Sequence, residues 1–403
     1  MGEKTSLPPR VGFITYDLQE FTADCLSRIQ KALKTPVKGY PVMERIASER
    51  VEFAFRPSKM KGRFFVVRKP GNTPESFAYS INWGAAWACV RENQVVVLFG
   101  LQGGTALLGA LLARLFRRPL VSVNQTLPPE WELKRRWWVR RLKSLILSCC
   151  HIHVVQTPVT RNTLVQVYKI NPETLVEAPF ESGATVFKQL FMNVNESREQ
   201  LRRKFGWRES ECVFLFVGTL LRFKGVETVL DAVSLLRRHD KAFRVLFIGP
   251  EATQVGEPSI REYEARAVEL EVGHRISFTG KRSLAELAFA YLAADVLLLP
   301  THKDTWGKVL VEAALAGLPF VTTSACGAAG SLVEDGRTGL VIPPEDPTAL
   351  AKSMQRLLDP ALRRRLGDQA RNFVLDFCDP DKEALGYSTA ILAAANAAGS
   401  ANN

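Results

Sequence analysis

Asp304 and Glu312 stand eight positions apart in the stretch THKDTWGKVLVEAALAGLPF (301–320). Between them, a glycine–lysine step at Gly307 and Lys308 leads into an apolar helical pattern. The spacing predicts a strand ending at Pro300 and a helix starting about Gly307, with Thr305 placed to cap it. Gly317 ends that helix before Pro319. The free N–H groups of Gly307, Lys308 and Val309 would face whatever sits at the helix entrance, and a glycine lets a ligand approach the backbone closely. One acid in the loop and one on the second turn could then address two ends of the same polar ligand. Acids are common, however, and a helix with a routine acidic start shows the same spacing.

Two further stretches carry comparable chemistry. In FVGTLLRFKGVETVLDAV a strand ends at Gly218, Thr219 follows, and a helix starts near Gly225. Arg222 and Lys224 lie in the loop between, and two cations beside a helix N-terminus make a natural anion site. In CGAAGSLVEDGRTGLVIPPED the small residues at 327–331 are expected to open another helix and to admit a ligand closely. Taken singly, each stretch is an ordinary loop.

The elements that must position these residues are short continuous apolar runs with turn residues at their ends. Four lie in the first half, at 11–16, 95–100, 119–124 and 152–157. Six lie in the second, at 213–218, 243–249, 276–280, 296–300, 319–323 and 339–343. Runs of this kind read as central parallel strands, and their alternation with helical patterns predicts an α/β chain with doubly wound parallel sheets. Such sheets bind ligands at the carboxyl ends of their strands. Two series of runs imply two Rossmann-like domains, at 1–190 and 191–380. Residues 381–403 then form a C-terminal helix fading into a disordered tail. The seam falls near 181–195, where periodicity is lost.

The chain has 403 residues, nearly half of them apolar, and a formal net charge of +12. The excess is confined to the first half: residues 1–180 hold 26 Lys/Arg against 13 Asp/Glu, whereas 181–403 are nearly balanced. That asymmetry points to an anionic surface or partner for the first half. No nucleic-acid module accompanies it, so nucleic acid is not the expected partner. The seven cysteines lack metal-ligand spacing, and no bound metal is expected. No signal peptide or membrane-spanning run is read, which places the protein in the cytoplasm. A nicotinamide fingerprint is absent, since FGLQGGTALLG has the glycines without the spacing, and no P-loop occurs.

In combination, the three stretches are far more specific. VGTLLRFKGVETVLDAV, ISFTGKRSLAELAFAYLAADVLLLPT, DTWGKVLVEAALAGLPFV and GAAGSLVEDGRTGLVIPPEDPTALAKSM occur in the order and spacing of a known fold family. Over about 213–375 the chain resembles the nucleotide-binding half of retaining GT-B glycosyltransferases of family 4 (glycosyl transferases group 1); over 11–180 the likeness is architectural. The resemblance implies two Rossmann-like domains facing across a cleft, and a sugar nucleotide as substrate with no cofactor and no metal at the diphosphate. It implies catalytic roles for Lys224, Arg222 and Asp304. Gly218, Thr219, Lys281, Arg282, Gly307, Lys308, Val309 and Glu312 are implied to bind the donor, with Glu312 on the ribose and Asp304 near the sugar. The chain departs from the pattern in four places. Asp304 replaces a glutamate, Thr219 stands where a clamp arginine is expected, Ser331 stands near an expected acid, and Asn124 and Gln125 occupy the place of a histidine.

The resulting expectation is a retaining, metal-independent hexosyltransferase. It moves a sugar from a nucleoside-diphosphate donor, UDP before GDP, to an acceptor hydroxyl in cell-envelope glycan or glycolipid synthesis. The alternatives are a non-catalytic relative that binds sugar nucleotide or glycan, and a sugar-nucleotide epimerase of the same architecture. Asp17, Gln102, Gly103, Asn124 and Gln125 follow strands of the first half and form the acceptor side. WELKRRWWVRRLKSLILS (131–148) reads as a helix whose Trp138, Val139, Leu142, Leu145 and Ile146 pack inward. Arg136, Arg140 and Lys143, with Trp137 beside them, would then face out towards an anionic membrane surface on its cytoplasmic side.

Overall fold

The computed structural model describes residues 9–15, 20–41, 64–66, 80–101, 104–124, 126, 128–180, 183–237 and 242–400. The chain divides into two compact units. The first runs to Phe180 and resumes at Asp379; the second is Glu181–Cys378.

The first unit contains strands β1 (Val11–Thr15), β2 (Val37–Pro41), β3 (Phe64–Val66), β4 (Ser80–Asn82), β5 (Val95–Phe99), β6 (Leu120–Asn124), β7 (Ile152–Val155) and β8 (Leu175–Glu177). Six of them form a parallel sheet in the order β2-β1-β5-β6-β7-β8, while β3 and β4 make a separate antiparallel pair. Its helices are α1 (Glu20–Leu33), α2 (Trp83–Glu92), α3 (Gly104–Leu115), α4 (Pro129–Leu133), α5 (Trp137–Ser148) and α6 (Pro158–Gln166). One core joins α2, α3, α5 and α6 to the sheet, and a second joins the sheet to α1 and the C-terminal helix.

The second unit contains α7 (Ala184–Met192), α8 (Arg198–Lys204), β9 (Cys212–Val217), α9 (Val226–Leu235), β10 (Phe243–Ile248), α10 (Ile260–Glu269), β11 (Ile276–Phe278), α11 (Leu284–Ala293), β12 (Val296–Leu299), α12 (Lys308–Leu315), β13 (Phe320–Thr323), β14 (Gly339–Ile342), α13 (Pro347–Arg356) and α14 (Pro360–Phe377). Its sheet is parallel, in the order β11-β10-β9-β12-β13-β14. The chain lays down β9, β10 and β11 towards one edge, then returns beside β9 with β12 and proceeds to the other edge. The carboxyl ends of β9 and β12 therefore flank the topological switch point, where open sheets of this type bind ligands. In the first unit the switch point lies between β1 and β5.

All ten apolar runs read from the sequence are strands, with bounds within two residues of those expected. The strands that were not read are the antiparallel pair β3 and β4 and two sheet edges, VKGYP of β2 and LVE of β8, which pair on one side only and lack a continuous apolar signature; β11 and β14, expected to be central, are the edges of the second sheet. Residues 184–192, read as a seam without periodicity, form α7, because Phe187 and Phe191 pack edge-on to Tyr291 of α11. Residues 327–331 do not open a helix. They form consecutive turns closed by Ala329 N to Cys326 O and by Gly330 N to Val333 O, with Gly330 left-handed at φ 77°. Nor does the helix after 380 fade early: α15 (Pro380–Ser400) belongs to the first unit, where the Gln156 amide donates to the Tyr387 hydroxyl at 3.1 Å. Gly386 permits this seat, since a Cβ there would lie 2.3 Å from Glu177 O.

In α5, two expectations are corrected. Lys143 turns inward and pairs with the buried Glu132 at 3.2 Å, because that carboxylate, which also accepts from the Tyr168 hydroxyl at 2.6 Å, needs compensating charge. Leu145 is exposed, and Ile146 and Leu147 take the inward positions. Arg136 and Trp137 do face solvent, and Arg140 donates to Leu133 O at 2.8 Å.

Candidate active site

Four glycines fix the backbone around the switch point of the second unit. After β9, Gly218 adopts φ 150° and donates its N–H to Ile248 O. Gly249 faces it so closely that a Cβ there would sit 1.8 Å from Gly218 O. Thr219 follows, half-buried. A single 3-10 turn, Arg222–Lys224, leads to Gly225, left-handed at φ 84° and pressed against Pro300. A Cβ on Gly225 would meet Pro300 O at 2.1 Å, so only glycine fits. The fourth, Gly327, would bring a Cβ to 1.9 Å from Thr305 O.

The loops after β9, β12 and β13 are bonded to one another. Phe223 O accepts from His302 N at 2.7 Å and from the Thr301 hydroxyl at 3.0 Å. Asp304 N donates to Ala325 O, and Gly327 N returns a bond to Asp304 O at 2.9 Å. This lacing brings Lys224 Nζ to 2.6 Å from Asp304 Oδ2, with both side chains largely buried. The other oxygen of Asp304 accepts from Trp306 N at 3.2 Å. The carboxylate therefore closes its own loop, and Thr305, expected to cap α12, does not: the N-cap is Gly307, without a side-chain bond. The Lys224 and Lys303 ammonium groups lie 5.5 and 5.6 Å from the centroid of the Phe223 ring.

The two helices that start beside this pair have no side-chain cap. Gly225 precedes α9 and Gly307 precedes α12, both left-handed. Val309 is half-buried in the first turn of α12, and Lys308 is exposed. Uncapped N-termini with adjacent lysines favour an anion. One turn further on, Glu312 accepts a 2.6 Å hydrogen bond from the Tyr291 hydroxyl. Burial pushes the Glu312 carboxyl up to about 7, against the opposing pull of Tyr291 and Lys308. A carboxylate fixed at one oxygen by a buried tyrosine retains acceptor capacity for hydroxyl groups.

Lys224, Asp304, Gly307 and Gly218 are thus drawn together by backbone bonds and strand order. Arg222 is held differently. Its N–H bonds Glu257, its guanidinium pairs with Glu227 at 3.3 Å, and 53% of the side chain is exposed. Lys281 is exposed, and Arg282 pairs with Glu286 at 3.2 Å on the first turn of α11. On the acceptor side, Asp17, Gln102, Gly103 and Gln125 lie outside the described residues. Asn124 is buried at the end of β6. Its amide donates to Ser122 Oγ at 2.8 Å, and that hydroxyl meets His153 Nδ1 at 2.8 Å. Asn124 Oδ1 has no partner among the described residues. Burial pushes His153 down to about 4, so the chain from Asn124 to His153 is neutral near pH 7.

Sequence reasoning missed Tyr291, the partner of Glu312, although it lies in the quoted segment ISFTGKRSLAELAFAYLAADVLLLPT. A single phenol in an apolar helix gives no signal until the fold sets α11 beside α12. Among the described residues, no His/Cys/Asp/Glu cluster suited to a metal ion is present, and no helix is long and apolar enough to cross a membrane.

Known proteins match this chain in part of its sequence and in its fold. Residues 197–373 match the family described as glycosyl transferases group 1. A D-inositol 3-phosphate glycosyltransferase of Corynebacterium diphtheriae is 32% identical over 280 residues, which cover 67% of this chain and 64% of that protein. The chain thus spans just under two thirds of that relative. Among solved structures, Anabaena HepE in complex with UDP is similar at a TM-score of 0.69 and 16% identity, covering 94% of this chain and 98% of the other. Sucrose-phosphate synthase from Thermosynechococcus elongatus is similar at 0.69 and 19% identity, over 94% and 97%. Residues 197–373 thus carry the match to the glycosyl transferases group 1 family, and the chain's two Rossmann-like domains are those of the GT-B fold.

Proposed function

We propose that the protein is a retaining glycosyltransferase that moves a hexose from a nucleoside-diphosphate sugar, UDP-linked before GDP-linked, to an acceptor hydroxyl. The observation that carries this reading is the Lys224–Asp304 pair set beside two uncapped helix N-termini at the switch point. Breaking the anomeric C–O bond leaves an oxocarbenium-like carbon and a diphosphate. Lys224 and the N–H groups of α12 are aimed at the phosphate oxygens, where charge grows as the bond breaks. Asp304 both orients Lys224 and presents a carboxylate oxygen to the sugar. Glu312, held by Tyr291, accepts from the ribose hydroxyls. Lys281 and Arg282 border the nucleotide. Arg222 takes the place of the arginine missing at Thr219 by exchanging Glu227 for the diphosphate. In a retaining transfer the departing phosphate oxygen takes the acceptor's proton, so no separate protein base is needed.

The D-inositol 3-phosphate glycosyltransferases among the relatives and the UDP held by HepE support the donor and the reaction class. The acceptor binds the first unit, with Asn124 as a contact; Asp17, Gln102, Gly103 and Gln125 are the other candidates and lie outside the described residues. The basic excess of that unit suits an envelope glycan or glycolipid reached from the cytoplasmic face of an anionic membrane.

A donor panel with chelator present tests the reading. Slow release of free UDP from a UDP-hexose is expected, and NMR of the transfer product should show the donor's anomeric configuration. An inverted product overturns the retaining mechanism, and activity abolished by chelator and restored by a divalent ion overturns metal independence. Tight UDP binding without any turnover indicates a binding protein instead. Conversion of the sugar without UDP release or acceptor indicates an epimerase.

A further inference from the structure

The first unit exposes apolar surface where it is least expected for a soluble sheet layer. On α2, Trp83 and Trp87 are one turn apart and half exposed. On α3, which packs against α2, Leu111 and Leu115 repeat the same spacing, and Leu115 is 74% exposed. Phe116 closes the gap between the helices, its ring edge-on to Trp87 at 5.4 Å. The patch is therefore contiguous, not a scatter of single exposed residues.

Its surroundings are cationic. Arg91 follows Trp87 by one turn, Arg114 lies between Leu111 and Leu115, and Arg117 follows Phe116; all three are exposed. None of the three makes an ion pair among the described residues. Glu92, the only acid of α2, is occupied by Lys38 at 3.0 Å and by the Tyr40 hydroxyl at 2.9 Å. The helix to which the sequence assigned a membrane-facing role, α5, lies beside α3. Of its groups, Lys143 is taken up by Glu132 and Arg140 donates to Leu133 O, while Arg136, Trp137 and Arg141 stay exposed.

We infer that the α2–α3 face is the principal seat of contact with an anionic lipid bilayer; this rests on the proposed membrane association and moves its centre away from α5. Aromatic rings interleaved with unpaired arginines suit the headgroup boundary, where the rings enter the acyl edge and the guanidinium groups meet lipid phosphates. Trp, Phe and Arg are also enriched in protein interfaces, so dependence on anionic lipid and on salt is what separates a bilayer from a protein partner. A second copy docking about a two-fold axis would set one cationic patch against the same cationic patch.

The test is co-sedimentation of the full chain with phosphatidylcholine vesicles, with and without phosphatidylglycerol, at low and high salt. Wild type should pellet only with the anionic vesicles and be released by salt. Trp83→Ser/Trp87→Ser and, separately, Arg91→Glu/Arg114→Glu should each lower the bound fraction at least fivefold. Trp137→Ala/Arg140→Glu should lower it less than twofold. The arginine pair is fully surface-placed, so it decides the matter even if the tryptophan pair fails to fold. If the α5 variant abolishes binding while both α2–α3 variants pellet like wild type, membrane association stands and this inference falls. If wild type ignores every vesicle, or instead forms a dimer that Arg91→Glu/Arg114→Glu disrupts in sedimentation velocity, the inference also falls. UDP titration of the same preparations reports separately on the transferase reading, which none of these outcomes touches.

Discussion

The two sheets present their switch points very differently. In the second unit, three loops at the carboxyl ends of β9, β12 and β13 are laced by backbone hydrogen bonds, and glycines stand where a single methyl group would strike a carbonyl oxygen. The helices that follow strands away from this point are closed by side chains. Ser259 of α10 and Ser283 of α11 make full capping boxes, and Asp346 caps α13. The two helices at the point itself, α9 and α12, are left open behind left-handed glycines. In the first unit, Asn124 and Thr126, at and just past the end of β6, carry buried polar atoms without partners among the described residues, and Asn124 is held through Ser122 by His153. On the proposed reading the second unit would hold a diphosphate through backbone N–H groups and cations, and the first unit would read an acceptor through side chains.

The most damaging break should come from the glycines. Gly225→Ala forces a Cβ to 2.1 Å from Pro300 O at a left-handed φ of 84° and should cost at least about 3 kcal/mol in thermal unfolding. Gly206, also left-handed but open, is the control; Gly206→Ala should cost about 1 kcal/mol. Equal losses at both would show that the lacing is incidental.

Removal of charge comes next. Lys224→Ala should lower kcat by about 10²–10³, a loss of about 2.7–4 kcal/mol of barrier stabilisation, with the melting temperature little changed. Arg222→Ala sharpens the comparison further. A severe loss, partly rescued by Thr219→Arg, marks it as the substitute clamp. Normal donor KM and kcat would leave Arg222 as the surface partner of Glu227.

A smaller effect concerns pH. The Glu312 carboxyl rises from 4.5 to about 7 on folding. The folded chain therefore binds this proton more tightly than the unfolded one. The associated stability is full below about pH 4.5 and is lost as pH rises through about 7, to a total of about 3 kcal/mol. Glu312→Gln should flatten that slope in unfolding measured from pH 5 to 8. The ionised carboxylate is the better acceptor for ribose hydroxyls, so UDP affinity of wild type should rise over the same range. Tyr291→Phe removes a donor that favours the ionised form and should move the midpoint of that rise upward. An unmoved midpoint would reduce Tyr291 to packing.

Much of this was legible in the sequence, for identifiable reasons. The central strands announce themselves because both faces are buried, as in VFLFVG and VLLLP; the edge strands VKGYP and LVE do not. Asp304, Lys224 and Glu312 stand out as candidates through the order and spacing of the motifs that carry the family resemblance. Tyr291 and the bonds that hold Phe223 against Thr301 and His302 join segments far apart in the chain, and no local pattern records them. Lys143 was misplaced because helical periodicity counts it among outward cations, whereas the buried Glu132 draws it inward.

The open switch point of the second unit is proposed to hold a nucleoside diphosphate. Isothermal titration of UDP and GDP into wild type, Lys224→Ala and Glu312→Gln tests it most directly. One nucleotide should bind wild type at a single site, and each substitution should weaken it at least tenfold. Binding of equal strength to all three proteins, or of neither nucleotide to wild type, would contradict it.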